Sequence, residues 1–106
     1  MKHSLRDLIP PMGWMYKIKY VYLISAQPFA PDNSQKFYKI GFTKNIDDRL
    51  KLFAVKLPFR VTLIHSVKTM TAGKLEIELH KKFQNKIVNG EWFALSESDL
   101  EYIKSL

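Results

Sequence analysis

The sequence predicts an α+β domain in which helices flank a small three-stranded antiparallel sheet. Three observations predict it. Tyr20-Val-Tyr-Leu-Ile24 is a continuous apolar run rich in strand-forming residues. Phe37 to Phe42 is a second such run, separated from the first by turn-forming residues, so the domain opens with a hairpin. A third strand-like run lies between two segments whose apolar residues recur at helical spacing, and mixed elements of this kind pack as helices over a sheet. The chain has 106 residues, which suits one core and one domain.

Residues 1–18 read as an N-terminal arm and residues 19–106 as the domain. Pro10, Pro11 and Gly13 break the arm into a short helix at Ser4 to Ile9 and a turn. Trp14, Met15 and Tyr16 are bulky enough to dock on the domain. The first strand reads as buried on both faces because its apolar run is unbroken. Gln27 to Gln35 holds Pro28, Pro31, Asp32, Asn33 and Ser34, which is loop chemistry. Gly41, near the end of the returning strand, signals close approach of another group to the backbone.

Asn45 with Asp48 three residues on marks a helix start. Ile46, Leu50, Phe53, Ala54 and Leu57 supply its apolar stripe, and Pro58 stops it. Arg60 to Val67 alternates and reads as the third strand. Thr71 opens a second helix with Leu75, Leu79 and Phe83 inward, fading near Asn85. Asn89-Gly90 is a turn, and Glu91 to Leu95 a short strand or extended piece. Ser96 with Asp99 caps a C-terminal helix that turns Leu100 and Ile103 inward.

Hydrophobic residues make up 46% and charged residues 25%, an ordinary globular balance. The absence of cysteine excludes disulfides and thiolate zinc sites. No apolar run reaches the ~18 to 20 residues that cross a bilayer, and Asp7 interrupts the only apolar stretch near the start, so neither a transmembrane segment nor a signal peptide is expected. The expected location is the cytoplasm. A net charge of +7 and a pI of 9.7 attract polyanions. A membrane surface is disfavoured, because no basic helix carries a clean aromatic face.

Three features stand out as candidate chemistry. Tyr22 and Tyr38 lie in the two strands of the hairpin, where they can be cross-strand neighbours. Arg49 sits on the margin of the first helix's apolar stripe. Glu76 and His80 are four apart and share a helix face. Each has an ordinary reading: strand tyrosines pack, helix-margin arginines are solvated, and a Glu/His pair decorates a surface. A single histidine at Glu76 does not make a zinc helix. There is no glycine-rich phosphate loop and no Ser/His/Asp signature.

Taken jointly, Tyr20-Val-Tyr-Leu-Ile24, Tyr38-Lys-Ile-Gly41, Arg49 eight residues further on and Glu76 in the second helix resemble the GIY-YIG nuclease superfamily. Leu75-Glu-Ile-Glu-Leu-His80, Phe83 and Gly90-Glu-Trp-Phe93 look like its phage-associated branch. The resemblance implies a metal-dependent DNA endonuclease. Tyr22 and Tyr38 would position or activate water, Arg49 would clamp the scissile phosphate, and Glu76 would bind one divalent cation, Mg²⁺ or Mn²⁺. Tyr20 stands where the name motif has its first glycine, and Lys39 and Ile40 sit inside the second motif. Phe53 stands where many relatives have His or Tyr, a place His80 would take over. Lys44, Lys51, Lys74, Lys81 and Lys82 are the expected DNA contacts. The competing expectation is a binding module for nucleic acid or protein that does not cut. Target choice with so little extra surface implies a homodimer or a separate targeting partner.

Overall fold

The computed structural model describes residues 18–28, 36–57 and 59–106. The expected helix at Ser4 to Ile9, the docking of Trp14 to Tyr16 and most of the Gln27 to Gln35 loop lie outside these residues. The described elements run β1 (Lys19–Pro28), β2 (Phe37–Thr43), α1 (Ile46–Lys56), β3 (Phe59–Thr69), α2 (Ala72–Lys82), a 3₁₀ turn (Gln84–Lys86), β4 (Ile87–Asn89), β5 (Trp92–Phe93) and α3 (Glu97–Lys104).

The fold is α+β, as the sequence implies, but the sheet has five strands rather than three. Their order is β3-β1-β2-β5-β4, with every pairing antiparallel. The three predicted strands, β3, β1 and β2, lie side by side, and β5 and β4 extend the sheet beyond β2. The Glu91 to Leu95 piece contributes only Trp92 and Phe93, and β4 is not among the expected elements. A three-residue strand carries too little alternation to read, and β4 exists through its pairing with β5 across the Asn89-Gly90 turn. Gly90 takes a positive φ of 58°, which its missing Cβ permits.

β1 lies between β3 and β2, and Val21 to Ala26 are all buried. Paired residues on antiparallel strands share a face. Val21, Leu23 and Ile40 therefore point one way, into a core with Ala72, Leu79 and Phe83, closed by Phe93 and Ile103. Each of the larger of these side chains, Ala72 apart, contributes about 1.5–3 kcal/mol through burial. Tyr22, Ile24, Lys39 and Gly41 point the other way, toward α1. That helix has no fully buried residue, so it lies over the sheet without sealing it.

Local chemistry sets the helix ends. The Asn45 side chain accepts from the Asp48 N–H at 3.0 Å, which starts α1. Leu57 is extended, as the residue before a proline prefers to be, and the helix ends there. Ser96 and Asp99 form a reciprocal capping box on α3, and Lys86 reaches the same Asp99 carboxylate, tying the 3₁₀ turn to that helix. α2 starts at Thr71 without a side-chain cap bond, and the Thr71 N–H donates instead to the Thr69 hydroxyl at 3.1 Å.

Candidate functional site

β5 pairs with β2 only at Tyr38 and Lys39. Beyond them the outer edge of β2 needs other partners, since buried backbone groups are costly to leave unpaired. The Ile40 N–H donates to the Glu91 carbonyl at 3.4 Å. The Ile40 carbonyl receives His80 Nε2 at 2.8 Å, and a carbonyl only accepts, so Nε2 carries the hydrogen. The Phe42 N–H is directed at the Glu76 carboxylate. The exposed edge thus draws α2 and the 90–91 turn against β2, and this brings Glu76 and Glu91 to the side of the sheet where Tyr22 lies.

Tyr22 is 2% exposed and its ring lies over Gly41. Its edge meets Phe53 of α1, with ring centroids 6.2 Å apart. Among the described residues the buried hydroxyl has no hydrogen-bond partner of normal geometry, although Arg49 is near enough to act on it. Burial raises the phenol's pKa above the ordinary tyrosine value, and Glu91 and Glu76 add to the rise. The Arg49 guanidinium opposes this without overcoming it. Tyr22 is therefore a neutral donor at physiological pH.

Glu76 is half-buried, and its pKa is also raised, first by burial and then by Glu91; His80, Lys39 and the Phe42 N–H pull the other way. Two carboxylates thus share one small region with an ammonium between them. Lys39 pairs with Glu91, its Nζ lying 6.0 Å from the Phe53 ring centroid and 5.8 Å from that of Trp92.

Of the residues singled out from sequence, Tyr22, Arg49 and Glu76 converge, with His80 beside Glu76 and bound to the strand edge. Tyr38 does not join them. The register pairs Tyr22 with Gly41 and Tyr38 with Ser25, so the two tyrosines are not cross-strand neighbours and occupy opposite faces. Tyr38 packs against the core instead. Two charged residues of the site, Lys39 and Glu91, have no role assigned from sequence. Lys39 has a visible signal: two positions before Gly41, it shares that glycine's face.

A groove of about 520 Å³ opens beside Arg49, lined also by Lys19, Lys44, Asn45 and Asp48, three cations against one carboxylate. Of the expected DNA contacts, Lys44 lies here. Lys51 is two residues from Arg49 and projects from nearly the opposite side of α1. Lys74 stands in the same relation to Glu76 on α2, and Lys81, a further seven residues on, shares its side. Lys82 stacks its ammonium over Tyr102, 4.3 Å from the ring centroid. Among the described residues no helix is long and apolar enough to cross a membrane.

No set of three His, Asp or Glu side chains converges among the described residues. The donor set nevertheless fits a hard divalent cation of the kind held by one or two carboxylates with oxygens from water or phosphate completing its shell. Burial and Glu91 make ionisation of Glu76 less favourable than for a free glutamate, and a cation would offset both effects.

No solved structure matches the chain. A viral relative, Uncharacterized protein 460R of Invertebrate iridescent virus 6, is 34% identical over 83 residues, covering 76% of this chain. The chain spans only 36% of that protein's length. The family model of the T5orf172 domain matches residues 19–106. This corrects the resemblance drawn from the motifs: the matching family is a different one, and no GIY-YIG family matches. The register corrects a separate expectation: the tyrosine of Tyr38-Lys-Ile-Gly41 faces the core, and Lys39 faces the site.

Proposed function

The chain belongs to the T5orf172 domain family, and from that premise we propose that it is a DNA endonuclease, with Arg49 and Glu76 meeting at Tyr22 to hydrolyse phosphodiester bonds. The family is associated with endonuclease-like and DNA-binding proteins. The observation that carries the reading is the buried Tyr22 hydroxyl, on which the Arg49 guanidinium and the Glu91 and Glu76 carboxylates all act.

Each side chain has a role suited to its chemistry. Arg49 offers the planar, permanently charged fork that grips two phosphoryl oxygens. Tyr22, kept neutral by burial, donates a hydrogen bond to the phosphate or to the attacking water and does not remove a proton. Glu76 would hold a divalent cation, Mg²⁺ or Mn²⁺, which when bound supplies charge stabilisation to the phosphoryl oxygens and leaving group. His80 fixes α2 against β2 through Ile40 and so positions Glu76. The basic groove of Lys19, Lys44 and Arg49 draws the DNA backbone toward these groups.

A second reading, a DNA-binding module that does not cut, is favoured by one observation. Glu76 and His80 both satisfy the β2 edge, a structural task that would retain them without catalysis. Incubation of the pure protein with supercoiled plasmid, linear duplex and branched DNA, with Mg²⁺, Mn²⁺ or chelator, separates the two. Cation-dependent cleavage lost in Glu76→Ala supports the nuclease. Binding without cleavage on every substrate leaves the module.

A further inference from the structure

We propose that Lys39 is a second phosphate-contacting cation of this site, held by Glu91 in the free protein and transferred to the scissile phosphodiester when DNA arrives. The proposal rests on the hydrolytic reading above. The Lys39 side chain shares the sheet face of Tyr22 and Gly41, and is only 13% exposed, whereas the side chain of its partner Glu91 is 46% exposed. The ammonium is therefore the fixed half of the pair, enclosed by the Phe53 and Trp92 rings, and the carboxylate is the half that can swing away.

The plain alternative is a salt bridge that fastens the 90–91 turn to the sheet. The backbone already does that work. Trp92 and Phe93 pair with β2, and the Ile40 N–H holds the Glu91 carbonyl. An ion pair with one half-exposed member is a small addition to such an anchor. Glu91 also lies close enough to Glu76 for the two carboxylates to repel, so its release to solvent relieves Glu76.

Exchange is chemically simple. A phosphate oxygen and a carboxylate oxygen are both anionic acceptors, so the ammonium trades one for the other without losing a partner or a proton. Arg49 and Lys39 then act from α1 and β2 respectively. The guanidinium supplies directional, paired hydrogen bonds and the ammonium a compact charge. Freed Glu91 turns to solvent, which also removes a negative charge from beside the incoming phosphate.

The chain contains no cysteine, which gives a clean test. Lys39→Cys places a single thiol in the protein, and alkylation with 2-bromoethylamine rebuilds a lysine-like ammonium on the same polypeptide. Binding to a duplex oligonucleotide is measured in chelator over a range of salt, alongside single-turnover cleavage with Mn²⁺. For unmodified Lys39→Cys and for Lys39→Met, the log-log salt slope should fall by about one contact, roughly 0.9. Cleavage should fall on the order of 10²-fold, as for removal of one donor to a developing oxyanion. Alkylation should restore both. Glu91→Gln should bind DNA more tightly than wild type, because Lys39 is released in advance.

An unchanged slope in both Lys39 variants overturns the contact, and so does a Glu91→Gln protein that loses as much binding as Lys39→Met. If the slopes behave as expected but wild type cuts no DNA, the hydrolytic reading fails while the phosphate contact stands. If wild type cuts and Lys39→Met cuts equally well, only the role of Lys39 is lost. Circular dichroism of each variant accompanies the measurements, and the alkylated protein serves as its own folding control.

Discussion

The Tyr22 hydroxyl lies over Gly41, 2.5 Å from where a Cβ at that position would stand. Gly41 is not needed for an unusual backbone conformation, since Gly90 is the one described residue with positive φ. It is needed for space. Gly41→Ala should displace the Tyr22 ring, lower the thermal midpoint by an overpacking cost of about 1–3 kcal/mol and abolish cleavage. Tyr22→Phe should not rescue it, because the ring carbon that bears the hydroxyl is itself only 2.7 Å from the same point. Thermal melts of the single and double variants decide this, and recovery of stability in the double variant would show that the hydroxyl alone caused the clash.

Tyr22→Phe by itself tests the neutral-phenol role. The pKa of Tyr22 is raised by burial, so its folded value lies above the unfolded one of roughly 10. The stability linked to this group is thus fully present below that range and is lost as pH rises through the folded value. Two results are expected. Tyr22→Phe should melt close to wild type at neutral pH, because the ring keeps its packing and only a buried hydroxyl is gone. Its cleavage rate should be lower at every pH, with the shape of the profile unchanged. A rising limb between pH 7 and 9 that disappears in Tyr22→Phe would show that the phenol acts as a base.

Legibility from sequence divides along the range of the interactions involved. The caps at Asn45 and Ser96 are readable because each is a bond between residues three apart, and each is present. The buried character of β1 is readable from its unbroken apolar run. β4 is not, because Ile87 to Asn89 is a strand only by virtue of β5. The site fails at a single step of register. Pairing in the hairpin depends on the long loop between its strands, whose length and turn geometry do not fix which residues meet. One position of error exchanges the faces of Tyr38 and Lys39. The role of Glu91 depends on the 90–91 turn folding onto β2, a contact spanning 52 positions from Lys39. Arg49 and Glu76 are legible because their helices are, and each lies on the margin of an apolar stripe.

Glu76 should show opposed demands of function and stability. Its folded pKa is raised, so ionised Glu76 burdens the native state. Stability tied to it is fully present below the ordinary glutamate value of about 4.3 and is lost as pH rises through the higher folded value. Glu76→Gln should therefore raise the thermal midpoint at neutral pH while abolishing cleavage, and the stabilisation should vanish in acid where wild type is also uncharged. If the carboxylate holds a cation, Mn²⁺ should raise the midpoint of wild type and leave that of Glu76→Gln unchanged. Calorimetry at pH 4 and pH 7, with and without Mn²⁺, measures each part. A Glu76→Gln protein less stable than wild type at pH 7 would mean that the charged hydrogen bond to Phe42 outweighs burial.

Arg49 carries the last expectation, in which geometry and charge are separable. It lines the groove with Lys19 and Lys44 and acts on Tyr22, so it belongs both to the path of the DNA and to the reacting centre. Lysine at this position would keep the charge and most of the reach but lose the fork that holds two phosphoryl oxygens at once. Arg49→Lys should bind duplex DNA nearly as well as wild type, with a similar salt slope, yet turn over almost as poorly as Arg49→Ala. Arg49→Ala should lose both turnover and roughly one phosphate's share of the slope, about 0.9. Single-turnover rates and salt-dependent binding for the three proteins at matched cation distinguish the cases. If lysine restores the rate, Arg49 steers DNA into the groove without gripping the scissile phosphate. If neither substitution changes rate or slope, the side chain belongs to the solvated margin of α1 and the phosphate must be held elsewhere.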